Sequence, residues 1–288
     1  MKILMIPSGY YPECCGGVEV MTQILAEGLT AQGHEVTILC CSDRNQMQRI
    51  HNVKIIRMRP YQIYSNKNVL TNRINRMLQM YNPFHIARFC RIIRRLAPDV
   101  IHLHMARTLS MSTLTAARLC RIPTVSTLHE YFSLWNFDPF HRMEDVVCTR
   151  PPFYVEWIRN IHRLETKHVQ YVTSPMLKTF QIYLNERYYS QAHYIHITNA
   201  LKPFPPEKTE YYRRIRQSRK PKKFLMIGRL MPFKGIENTL AIFSDRSVAE
   251  QFELHIAGDG PMRAQIEAVA EILQRGDDKC SAAGMQYV

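Results

Sequence analysis

"KILMIPSGYYPECCGGVEVMTQILAEGLTAQGHEVTILCC", residues 2–41, reads as strand, loop, helix, strand. "KILMIP" is an unbroken apolar run of the kind found where a sheet is covered on both faces. "SGYYPECCGG" is rich in turn formers. In the stretch that follows, Val20, Ile24, Leu25 and Leu29 recur at helical spacing, and Gly33 marks the end of that helix. "EVTILCC" is the next strand. The same alternation continues outward through "VKIIRM", a long basic helical region at about 68–96, "DVIHLH", "LSMSTLTAARLC" and "PTVSTLH". "HVQYVTS", "SPMLKTFQIYL" and "AHYIHIT" extend it. Strands alternating with helices imply a parallel sheet with helices on both faces.

Residues 201–223, "LKPFPPEKTEYYRRIRQSRKPKK", interrupt the pattern with three prolines ahead of a charged segment. They read as a linker between a first domain, 1–200, and a second, 224–288. The second restarts the alternation with "FLMIG", a helix from Ile236, "FELHIAG" and a helix at about 261–274. That gives two strands, where a doubly wound domain usually has about five or six. The expectation is therefore a partial second domain.

Composition narrows the function classes. The chain has 288 residues, 46% hydrophobic and 22% charged, so it can build a core. Its formal charge of +14 points to polyanionic partners: nucleic acid, an anionic membrane face or phosphorylated small molecules. The eight cysteines form no Cys-x-x-Cys pair and read as small apolar residues in a reducing cytosol. The first apolar run is too short, and too soon broken by proline, for a signal peptide. No run of about 18 apolar residues predicts a spanning helix. The expected location is cytoplasmic, or peripheral on the inner membrane face.

Several residues carry candidate chemistry. Gly16-Gly17 lies between a strand and a helix, where backbone N–H groups can approach an oxyanion. Read alone, the pair is equally a plain turn. It matches neither a dinucleotide fingerprint nor a P-loop. Arg229 and Lys234 follow a strand end in "IGRLMPFKG". A guanidinium fork and a compact ammonium suit a diphosphate, although both residues also fit a solvated loop. Arg73, Arg76, Arg88, Arg91, Arg94 and Arg95 interleave with apolar residues. They form either a solvated helix face or a contact with anionic lipid.

"GGVE", "DVIHLH", "STLHEYF", "SPMLK", "ITNAL", "IGRLMPFKG" and "LHIAGDGP" occur in that order. The series resembles the retaining GT-B glycosyltransferases of the family-four type. The resemblance covers residues 1 to about 265 and implies an α/β fold of two Rossmann-like domains, the second incomplete here. It implies that Gly16, Gly17, Gly228, Asn199, Gly258 and Gly260 bind the donor. It also implies that His129 stands near the transferred sugar, with Arg229 and Lys234 neutralising the departing diphosphate. Glu130 stands where many relatives have aspartate, and Ala200 replaces a glycine. His102, His104, Ser174 and Lys178 fall in family-like segments.

The partners implied are a nucleotide sugar and a glycan or lipid-linked acceptor, without nucleic acid. No cofactor and no metal are expected, because the resemblance gives the cations the role a metal has elsewhere. The family's Glu-x7-Glu pair is missing: after Gly260 the glutamates are Glu267 and Glu271, four apart. The expected activity is retaining hexosyl transfer in surface polysaccharide or glycolipid assembly, from a C-terminally truncated chain. The alternative is an impaired remnant or a non-catalytic binding subunit.

Overall fold

The computed structural model describes residues 1–13, 16–60, 69–104, 109–129, 134, 153–201, 205–218, 222–249 and 251–275. The chain divides into two compact units, Met1–Lys202 and Pro203–Val288.

The first unit holds one sheet of eight strands: β1 (Lys2–Ile6), β2 (Glu35–Cys41), β3 (Gln46–Ile50), β4 (Val53–Met58), β5 (Val100–Leu103), β6 (Thr124–Thr127), β7 (Tyr171–Ser174) and β8 (His193–His196). Their order in space is β3-β4-β2-β1-β5-β6-β7-β8. Every pairing is parallel except β3 with β4. The helices are α1 (Gly17–Ala31), α2 (Val69–Met80), α3 (Pro83–Leu96), α4 (Ser112–Leu119), α5 (Phe153–Thr166) and α6 (Leu177–Asn185).

The apolar runs of β1 and β2 are explained by two cores. Successive strand residues point to opposite faces. Ile3 and Met5 pack with Val36, Ile38 and Ala26 of α1. Leu4 and Ile6 pack with Leu39 and with Phe89 and Ile93 of α3. Each of these side chains other than that of Ala26 contributes about 1.5–3 kcal/mol by leaving water.

The expected basic helix at 68–96 is two helices. Pro83 opens α3, and the Asn82 side chain accepts a hydrogen bond from the backbone N–H of Phe84 at 3.2 Å. Proline at a first helical position and asparagine before it are a start signal inside a continuous apolar period.

In the second unit, residues 206–218 of the expected linker form α7 (Pro206–Ser218). Then come β9 (Lys222–Ile227), a short 3-10 helix (Pro232–Lys234), α8 (Ile236–Phe243), α9 (Arg246–Ala249), β10 (Phe252–Ala257) and α10 (Arg263–Arg275). β9 and β10 pair in parallel. Leu230, Ile236, Leu240, Ile256, Met262 and Ile266 form the core of this unit.

Candidate active site

From β1 the chain passes to β2 on one side, while β5 to β8 lie on the other. The strand order therefore reverses between β1 and β5. Ligands of open α/β sheets bind outside the carboxyl ends of the strands at such a point. The two strand ends are joined there: the backbone N–H of His104 donates to the Ile6 carbonyl at 3.1 Å.

The glycine loop leaves β1 at this edge. Gly16 precedes the first turn of α1 with ordinary extended backbone, φ −79° and ψ 172°. A Cβ there would meet only the end of the Glu19 side chain, which can swing aside. A Cβ at Gly17 would meet nothing within 4 Å, so the backbone there is open to approach. The first N–H groups of α1 have no intrahelical acceptor and carry the positive end of the dipole. Glu19, in the same turn, already supplies one negative charge. Cys14, Cys15 and Glu130 lie outside the described residues.

A residue missing from the sequence reading positions this loop. Arg57, on β4, is 1% exposed. Its guanidinium donates to the carbonyls of Tyr10 at 3.3 Å and Tyr11 at 2.8 Å. Its Nε lies 3.1 Å from the Glu13 carboxylate. A single buried fork thus ties down three consecutive parts of the loop. The available signal was an arginine inside the apolar run "VKIIRM", since a buried cation must find partners.

His129 follows β6, half-buried, and its Nε2 lies 3.2 Å from Nδ1 of His104. His104 follows β5 and is buried. The His104 ring lies 5.5 Å from that of His129 and 4.1 Å from that of His102, centre to centre. Nε2 of His102 is 2.7 Å from the Thr127 hydroxyl, which is 2.7 Å from the Thr173 hydroxyl. A polar row therefore crosses the ends of β5, β6 and β7.

Burial, and then the neighbouring His129, lowers the pKa of His102 to about 4 from an ordinary 6.5. Burial lowers that of His129 to about 4. Burial, then His102 and His129, holds His104 well below its ordinary value. The trio is neutral at pH 7. Among the described residues no group of three His, Cys, Asp or Glu side chains is placed to hold a metal ion.

The remaining first-unit candidates divide by role. The Ser174 hydroxyl donates to the Leu128 carbonyl at 3.0 Å and accepts from the Met176 N–H at 3.2 Å, bracing the segment ahead of His129. Lys178 on α6 and Asn199 beyond β8 are exposed.

In the second unit, two loops knit the ends of β9 and β10 together. The N–H of Gly228 donates to the Ala257 carbonyl at 3.0 Å, and that of Leu230 to the Asp259 carbonyl at 2.9 Å. The N–H of Met262 returns to the Leu230 carbonyl at 3.1 Å. Gly258 is required by this approach: a Cβ there would collide with the Gly228 carbonyl. Gly260 lies against the backbone of Leu230 in the same way. Leu230 is 1% exposed and anchors the loop, while Arg229 and Lys234 on its flanks are exposed. Two cations are thereby held outward on fixed backbone.

The sequence profile of Glycosyltransferase Family 4 matches residues 15–202, nearly the whole of the first unit. The chain belongs to Glycosyltransferase Family 4. An uncharacterised glycosyltransferase of Methanocaldococcus jannaschii is 26% identical to this family-4 chain over 282 residues, covering 93% of the chain and 65% of that protein. An uncharacterised 42.6 kDa protein in the cps region of Klebsiella pneumoniae is 32% identical over 140 residues, 46% of this chain and 37% of that one. The chain thus spans less than two thirds of the length of these curated relatives. Among solved structures, Anabaena HepE in complex with UDP superposes with a TM-score of 0.61 at 13% identity, covering all of this chain and 69% of that one. That likeness places the family-4 chain in the α/β fold class of GT-B glycosyltransferases.

Proposed function

We propose that the chain is a glycosyltransferase that moves a sugar from a nucleotide sugar to a glycan or lipid-linked acceptor with retention of configuration. The observation that carries this reading is that the glycine-led start of α1 follows β1 and His129 follows β6, with only β5 between those strands, in a unit of Glycosyltransferase Family 4. The fixed outward pair Arg229 and Lys234 supports it. In this reading those cations stabilise the departing diphosphate, and the acceptor hydroxyl attacks the face from which it leaves, through an oxocarbenium-like state. The charge that must be neutralised is met by side chains, so no step calls for a bound metal. Gly228, Gly258 and Gly260 let the backbone come close to the donor, and Asn199 contributes to donor binding. Similarity to a protein of the cps region of Klebsiella pneumoniae supports a place in surface polysaccharide assembly.

Lipid-linked acceptors reside at membranes, and the exposed face of α3 fits attachment to anionic lipid. Phe84, Arg91, Arg94 and Arg95 lie on it, whereas Arg88 is engaged within the molecule, with Asn45 at 2.7 Å and the Arg59 carbonyl at 3.0 Å. No helix among the described residues is long and apolar enough to cross a membrane.

The test is incubation of the purified chain with a panel of nucleotide sugars and lipid-linked acceptors. Release of nucleoside diphosphate and the anomeric configuration of the product are followed by NMR. Transfer with the donor's configuration is expected. Inverted product would overturn retention, and acceptor binding without any release would favour a binding subunit.

A further inference from the structure

His104 and His129 share one hydrogen bond between two neutral rings, so one nitrogen must donate and the other accept. The contact alone does not say which. The other end of His104 does. Its Nε2 is buried and has no hydrogen-bond partner among the described residues. A proton placed on Nε2 would be an orphaned buried N–H, which is rarer in folded proteins than an under-used acceptor. The proton of His104 therefore belongs on Nδ1, pointing at His129. Nε2 of His129 must then be the acceptor, and the proton of His129 lies on its own Nδ1. The alternative, a cationic His104 with both nitrogens protonated, is opposed by its burial at 5% exposure and by the two histidine rings beside it.

We propose that His104 is a positioning residue that locks His129 in its Nδ1–H tautomer. His129 then presents to a ligand a hydrogen-bond donor, not a base. Among the described residues its Nδ1 has no protein partner, whereas its Nε2 lone pair is occupied by His104. A fixed neutral donor suits a sugar hydroxyl oxygen and cannot take a proton from an attacking acceptor through Nε2. The purpose given to His129 rests on the proposed glycosyltransferase function; the tautomer itself rests on the contacts alone.

Long-range proton–nitrogen correlation spectra of the whole chain, labelled with 15N-histidine and recorded at pH 7, test this. The expected result is a protonated Nδ1 and a bare Nε2 on both rings, assigned by loss of signals in single variants. His104→Asn keeps an amide donor where Nδ1 stands and should leave the His129 nitrogen shifts in place. His104→Phe removes the donor and should move His129 toward the Nε2–H form. A protonated Nε2 on His129 in the native chain, or unchanged His129 shifts in a folded His104→Phe, would overturn the proposal. If His104→Phe fails to fold, the native and His104→Asn spectra still decide. Absence of sugar transfer would count against the proposed function and leave this assignment standing. Reversed tautomers would do the opposite.

Discussion

Arg57 shows how a residue can be far from a ligand and still govern the site. Removing its guanidinium leaves two loop carbonyls and the Glu13 carboxylate without their donor. Arg57→Met should cost about 1–3 kcal/mol, the cost of leaving the buried Tyr10 carbonyl without its donor, since the exposed Glu13 carboxylate keeps its water. Denaturant unfolding would measure it, and a loss under about 1 kcal/mol would mean that the loop holds its shape unaided. The histidines make a second prediction. His102 and His129 titrate near 4 when folded and near 6.5 when unfolded. The unfolded chain therefore binds more protons between those values, and stability must fall as pH drops from about 6.5 to 4. His102→Gln and His129→Gln should each flatten that slope in equilibrium unfolding, and a slope unchanged in both would refute the assignment. The sequence made His129 visible only through its family resemblance, because a histidine after an apolar strand is more often a core residue. Arg57 stayed hidden because its partners are backbone carbonyls some 46 residues away, which no local pattern encodes.

At the scale of elements, the strands buried on both faces were legible and the polar ones were not. "VKIIRM" matches β4 residue for residue, while β3, "QMQRI", lacks the apolar run that betrays a buried strand. It pairs antiparallel at the sheet edge, where one neighbour suffices. The break between α2 and α3 was obscured for a similar reason: the helical period runs through Asn82-Pro83, and only the capping chemistry marks the stop. Asn82→Ala should destabilise the first unit by about 1 kcal/mol, read as a lowered denaturation midpoint. The outer face of α3 carries a separate expectation from the proposed membrane contact. Each basic residue near an anionic surface is worth about 1 kcal/mol, so Arg91→Ala with Arg95→Ala should weaken binding to phosphatidylglycerol vesicles ~30-fold. Equal sedimentation of native and doubly substituted chain with such vesicles would leave α3 as a solvated face.

At the scale of the whole molecule, the alternation of strands and helices carried the fold, and the chain divides into two compact units between Lys202 and Pro203. The two units differ in how they shield their sheets. In the first, β1 and β2 are buried on both faces by separate cores. In the second, one face of the β9–β10 pair packs on Leu230, Ile236 and Ile266, while Leu225 and Ile227 on β9 are 62% and 74% exposed. A two-stranded sheet is marginal by itself, and exposed apolar strand residues contribute nothing to its stability. Local opening should therefore cost much less in the second unit than in the first. Hydrogen exchange on the whole chain would report it: amides of β1, β2 and β5 should outlast those of β9 and β10 by several orders of magnitude in time. The contrast should persist at low protein concentration, where self-association through Leu225 and Ile227 cannot shield the second sheet. Matching protection in the two sheets under those conditions would show that β9 and β10 gain their stability from contacts other than the core around Leu230, and would overturn the inference from exposure.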